Sequence, residues 1–266
     1  MNEKLPNRYQ ALIARVFSAA YQNNSQVVPF TREELVTTAD TLGIKMPKNP
    51  GDILYSFRYR NPLPDEILKT QPEGMEWVIE GTGRAKYEFK LVPINRIAPN
   101  PNLITIKIPD ATPEIISSNS LTDEQALLAK VRYNRLIDIF LGITTYSLQN
   151  HLRTTVKSLG QIEIDEIYVG IDHLGCQYVI PVQAKGGNDQ LSTVQAKQDI
   201  ACCAEKFPNL VCRAISAQFM DDARIAIFEL CLDDLGSVKT VQERHYRLVS
   251  ADQIALSDLH SYRHRT

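Results

Sequence analysis

The sequence predicts an α/β chain in two parts, three helices with a β-hairpin and then a mixed sheet flanked by helices. Two observations predict it. Apolar residues recur at three-to-four spacing in the segments that start near Arg8, Thr31 and Pro50, and alternate in the runs MEWVIEG and AKYEFKLV that follow. Past a Pro-, Asn- and Ser-rich stretch, helical segments lead into QIEIDEIYVGIDHLGCQYVIPVQAKGG at 161–187, two strand-like runs around the turn Asp172-His173-Leu174-Gly175.

The first helix is expected over Arg8 to Tyr21, with Leu12/Ile13, Val16/Phe17 and Ala20 on its apolar side. Thr31, followed by Glu33 and Glu34, caps a second helix that Gly43 ends. A third runs from about Pro50 and stops before Pro62. Gly81-Thr82-Gly83-Arg84 then turns a hairpin. This is the order of a winged helix-turn-helix, whose third helix enters a DNA groove while the hairpin touches the backbone. Residues 1–95 are therefore expected to form a winged-helix-like DNA-binding domain. Tyr55, Ser56, Arg58, Tyr59 and Arg60 would be presented by the third helix, with Lys48, Arg84 and Lys86 (and Lys45) around it to pair with phosphates.

Residues 96–120 read as a linker holding one short strand, Leu103 to Ile108. A long helix opens at Leu121-Thr122-Asp123-Glu124 and Gly142 ends it; a second is expected over Ser147 to Leu159, with His151 on its surface. After the hairpin come a helix (Leu191 to Phe207), strands over Val211 to Phe219 and Arg224 to Leu232, an edge strand at His245 to Val249 and a closing helix (Ser250 to His260).

Composition narrows the class. With 44% apolar and 23% charged residues, and no apolar run near the roughly 20 residues of a membrane span, the chain is expected to be soluble, without a membrane partner. The five cysteines show no Cys-x-x-Cys spacing and no signal peptide is evident, which points to a reducing cytoplasm and to buried thiols. Net charge is −2, divided as +2 over residues 1–100, +1 over 101–160 and −5 over 161–266. A nucleic-acid partner would therefore need local basic surfaces and a metal, because the overall field does not attract it.

The hairpin carries the chemistry. Folded about its turn, it pairs positions summing to 348, so Asp165 meets Gln183 and Glu163 meets Lys185, all four on one face. Glu166 points the other way and is expected to be an ordinary exposed acid. Asp165, the Gln183 amide and the Ala184 backbone carbonyl offer oxygen ligands suited to Mg²⁺, and Lys185 can hold a water or balance the charge of a pentacovalent phosphorus. Glu163 could add a second carboxylate. Gln195 and Gln198, on the next helix, are expected to be solvated.

Ile164-Asp165-Glu166-Ile167 followed by Val182-Gln183-Ala184-Lys185 resembles the PD-(D/E)xK nuclease superfamily over roughly residues 125–235. Gln183 stands where the consensus is acidic, similar to the QxK of the Mrr-like branch, and Ile164 replaces the proline. The resemblance implies a restriction-endonuclease-like domain over 121–266, Asp165 as metal ligand, Gln183 in the second ligand position and Lys185 as catalytic lysine. A helix-borne glutamate often joins such sites; Glu124 is the nearest candidate and Glu163 its alternative. The implied activity is Mg²⁺-dependent cleavage of double-stranded DNA, with Mn²⁺ able to substitute, by a type II restriction enzyme acting as a homodimer. Two other readings use the same residues: a nuclease for modified or branched DNA, and a non-catalytic DNA-binding regulator with a nuclease-like second domain.

Overall fold

The computed structural model describes residues 7–59, 61–94, 96–119, 124–157, 159–186, 189–220, 222–234 and 236–263. The chain divides into two compact units, Met1–Asn95 with Thr155–Gln161, and Arg96–Thr154 with Ile162–Thr266. No helix among the described residues is long and apolar enough to cross a membrane.

In the first unit, α1 (Asn7–Ala20) buries Leu12, Ile13, Val16 and Phe17, the three-to-four pattern of one helical face. β1 (Val27–Thr31) runs straight into α2 (Arg32–Thr41) through a capping box. Glu34 N donates to Thr31 Oγ1 at 3.2 Å, and Thr31 N donates to Glu34 Oε2 at 2.6 Å. Thr31→Ala is expected to cost about 1 kcal/mol, read as a lower denaturant midpoint with an unchanged slope. α3 (Gly51–Tyr59) buries Ile53, Leu54 and Phe57; the short α4 (Asp65–Leu68) adds Ile67. β2 (Met75–Gly83) and β3 (Lys86–Pro93) form the hairpin, and β1 joins to give the antiparallel order β1-β3-β2. The core closes on aromatic rings: Phe17 meets Trp77 and Phe89 edge-on, each at 5.1 Å.

The second unit is mixed α/β, a mixed sheet flanked by helices. Its elements are β4 (Arg96–Ile97), β5 (Thr105–Pro109), α5 (Glu114–Ser117), α6 (Glu124–Tyr133), α7 (Leu136–Leu141), β6 (Thr144–Val156) and β7 (Gly160–Ile171), less their ends within Thr155–Gln161, which belong to the first unit, and β8 (Gln177–Lys185). There follow β9 (Leu191–Ser192), α8 (Thr193–Lys206), β10 (Val211–Cys212), β11 (Ala214–Phe219), β12 (Ile225–Leu232), β13 (Val238–Val249) and α9 (Leu256–Arg263). The main sheet runs β5-β13-β12-β11-β8-β7-β6, with β10 also beside β8. β8 and β11 are parallel, joined by the crossover through α8; β7 with β8 and β11 with β12 are antiparallel. Along β12, Ile225 and Ile227 join the α6–α7 core while Ala226, Phe228 and Leu230 join Ala196 of α8. That alternation is the signature of a strand covered on both faces.

Several expectations change. The helix expected over Ser147 to Leu159 is strand β6: its Thr- and Val-containing run pairs beside β7, where cross-strand bonds override a weak helical period. The long helix from Leu121 starts at Glu124 among the described residues, and it breaks after Tyr133. Arg135 takes a left-handed φ of 49°, and the buried Asn134 side chain accepts from Ala111 N at 2.7 Å. The stretch expected as a linker belongs to the second unit, where β5 pairs with β13 in parallel and β4 pairs with β9. Cys202 and Cys203 are buried, but Cys231 is exposed.

Candidate functional site

The β7–β8 hairpin has the expected register. Observed pairs run from Ile171–Gln177 to Glu166–Val182, each summing to the expected 348, and beyond them Ala184 N donates to the Asp165 side chain. Asp172 shapes the turn, its Oδ1 accepting from Leu174 N and Cys176 N, both at 2.9 Å.

Period two sorts the polar groups. Odd positions of β7 and β8 face the side that carries α8, and there the candidate site is built. Asp165 Oδ2 accepts from Ala184 N at 2.8 Å. Burial pushes its carboxyl above the usual range, against the opposing effect of that hydrogen bond and of the Lys185 charge. Lys185, largely buried at the end of β8, donates from Nζ to Glu124 Oε1 at 3.1 Å. Glu124 is the first residue of α6, so the helix start brings a distant carboxylate to the end of the strand. Its carboxyl is also raised, by burial first and further by the Asp165 charge.

The Gln183 amide is 2% exposed and held from two sides. Its Nε2 donates to the Glu163 carbonyl and to Asp199 Oδ1, both at 3.2 Å, which leaves Oε1 as the amide's remaining polar atom. Sequence reasoning missed Asp199. Burial drives its carboxyl well above the ordinary range, with the Gln183 bond opposing and the Asp165 charge adding. The signal was present: Ala196, Asp199 and Cys203 share one face of α8, inside the stripe that packs on the sheet. Gln198 is buried too, rather than solvated, and Gln195 is partly so.

Glu163, expected beside Lys185, is instead engaged by β6, with Arg153 Nε at 3.2 Å and His151 Nδ1 at 3.6 Å. Burial raises its carboxyl, with the Asp165 charge adding. Glu124 takes the position opposite the lysine because α6 starts there. Glu166 lies on the even face, as expected, but is no exposed acid: it is 0% exposed, accepting from Arg132 Nε at 2.8 Å and Ser147 Oγ at 2.6 Å. Arg132 of α6 and Ser147 of β6 close over this position, so it is cut off from solvent.

Glu124, Asp165, Gln183 and Lys185 thus form one cluster. Two carboxylates whose pKa values burial raises, with the Asp165 charge adding at Glu124 and an amide oxygen at hand, are a donor set that suits a hard divalent cation. Ala184, expected to offer its carbonyl, sits in the ladder opposite Ala217 of β11. The sign of the pH effect follows. A raised carboxyl pKa contributes stability at low pH that is lost as pH rises through it, so at neutral pH these acids destabilise the metal-free fold. Asp165→Asn is expected to raise the metal-free melting temperature at pH 7 and to leave it nearly unchanged at pH 4, as calorimetry at both values would show.

In the first unit, the residues expected to meet DNA divide. Lys48, Arg84 and Lys86 are exposed. Tyr55 and Ser56 are half-buried, and Ser56 Oγ accepts from Asn61 Nδ2 at 2.7 Å. Arg58 is turned inward: Nε and Nη2 are shielded from solvent, and Nη1 donates to the Gln161 carbonyl at 3.4 Å. The Tyr59 side chain and Arg60 lie outside the described residues.

Comparison with family models, with curated proteins and with solved structures gives no match for this chain.

Proposed function

We propose that the protein is a metal-dependent endonuclease that hydrolyses phosphodiester bonds in double-stranded DNA, of the type II restriction kind. The observation that carries this reading is the meeting of Glu124, Asp165, Gln183 and Lys185 at the end of the β7–β8 hairpin. The order of elements supports it: helix, three-stranded meander β6-β7-β8, crossover helix α8, then β11 parallel to β8, as in the PD-(D/E)xK resemblance.

Asp165 and Glu124 would hold Mg²⁺, or Mn²⁺ in its place, with the Gln183 amide oxygen as third ligand. When bound, the cation supplies charge neutralisation at the phosphoryl group and lowers the pKa of a bound water. The chain's own residues do the rest. Lys185, set by Glu124, is placed to balance the charge that develops on the phosphoryl oxygens. Asp199 and the Glu163 carbonyl fix the Gln183 amide, so its oxygen does not rotate away when substrate enters.

We read the first unit as a winged helix-turn-helix, with α1, α2 and α3 followed by the β2–β3 wing. Lys48, Arg84 and Lys86 supply its phosphate contacts. Cleaving both strands asks for two sites, so the active form is read as a homodimer. Incubation of the purified chain with unmethylated plasmid and Mg²⁺ is expected to give linear product with defined ends, mapped by sequencing, and EDTA to stop it. A homogeneous preparation that leaves plasmid, genomic and branched DNA intact in Mg²⁺ and in Mn²⁺ overturns the reading.

A further inference from the structure

Within the first unit lies a cavity of about 300 Å³, walled by α3, the β2–β3 hairpin and residues 155–161. Its charge is one-sided. Arg32, Arg58, Arg84 and Lys157 line it, and among its described lining residues none is a carboxylate. Low-dielectric walls focus the field of the charges that line a concavity, so an anion is the class of ligand this lining suits. Arginines suit phosphate because their planar forks bind its oxygens in pairs.

Size and ring content narrow the anion. The volume stands at the lower end of the roughly 300–1,000 Å³ usual for small-molecule pockets and exceeds what one inorganic phosphate fills. Tyr55 and Tyr87 are among the lining residues, and Arg32 Nη2 donates to Tyr87 Oη at 3.4 Å, which sets a cation beside a phenol. A phosphate with a flat ring attached satisfies both features, since bases stack on aromatic side chains with little regard to sequence.

The wall is purpose-shaped at one point. A Cβ on Gly81 would stand 2.6 Å from the Leu159 carbonyl oxygen, so only glycine lets β2 and the 155–161 tip close together. Their closure brings Lys157 to the cavity that Arg58 and Arg84 also line.

We propose that this cavity binds a nucleoside monophosphate group, either as a free nucleotide or as one nucleotide turned out of a DNA strand. Binding here stands on the first unit alone. It is measured in EDTA, where no cleavage occurs, so its failure and the failure of the nuclease reading are separate results.

The test uses the full chain. Calorimetric titration with the four deoxynucleoside monophosphates, their nucleosides and inorganic phosphate is paired with a duplex carrying a fluorescent base analogue. If free nucleotides are the source, one monophosphate binds saturably and its nucleoside at least tenfold more weakly, with no change in duplex fluorescence. If the source is DNA, the analogue brightens several-fold on binding. In either case Arg32→Gln with Lys157→Gln weakens the response at least tenfold while melting as the parent does. Should that pair fail to fold, Arg84→Gln, on the exposed hairpin tip, is expected to weaken it at least threefold. Responses absent from the parent chain, or unchanged in the folded variants, overturn the proposal.

Discussion

Lys185→Ala and Asp165→Asn are each expected to lower Mg²⁺-dependent DNA cleavage at least about a hundredfold, the scale on which removing one preorganised electrostatic contact acts. Duplex affinity in EDTA is expected to change less than about twofold, because neither residue belongs to the unit read as the DNA reader. The two substitutions differ in a useful way. Asparagine at 165 keeps an oxygen but loses the charge, so raising Mn²⁺ is expected to recover part of the activity. Alanine at 185 leaves Glu124 without its lysine, and on the nuclease reading added metal is expected not to restore the rate. Cleavage by Lys185→Ala at the parent rate would remove the lysine from the chemistry. Equal loss of cleavage and of binding in both would point to a folding defect instead, which the far-ultraviolet spectrum and melting temperature report.

Arg132→Met is expected to destabilise the second unit measurably. Glu166 is fully buried, and Arg132 is its ion-pair partner at 2.8 Å, with Ser147 adding one hydrogen bond. Only Glu166 is buried, while the Arg132 side chain is about a third open to solvent, so removing the arginine is expected to cost about 1–3 kcal/mol, the scale of leaving a buried acceptor short of a donor. Chemical denaturation of the purified variant measures it. The double variant Arg132→Met with Glu166→Leu is expected to recover most of the loss, since replacing both partners by apolar groups of similar size is often neutral. A single variant within about 1 kcal/mol of the parent would show that the Arg132 contact adds little to the fold.

The contrast between Glu166 and Asp165 illustrates what can be read from a sequence. Parity along β7 placed them on opposite faces, and that is how they lie. What covers each face is not a property of the strand. Glu166 looked like a surface acid because α6 lies over it only in the folded chain. Asp199 was hidden for the same reason: an acid within a helical stripe looks like a stray polar residue until its amide partner arrives from β8. Residues Ser147 to Leu159 were misread because local periodicity decided weakly, and pairing with β7 decided strongly.

The sequence by itself determined the hairpin register, the shared face of Asp165 and Gln183, the cap at Thr31 and, in the first unit, α1, α2, α3 and the β2–β3 hairpin, while β1 and α4 were not read from it. All that it determined rests on contacts within a few residues or on the two-residue period of a strand. Only the tertiary structure decided that Glu124, sixty-one positions from Lys185, is its carboxylate partner. It alone engaged Glu163 with Arg153 and turned Arg58 inward. Those pairings join side chains from separate elements, and their geometry exists only once the sheet and α6 have packed.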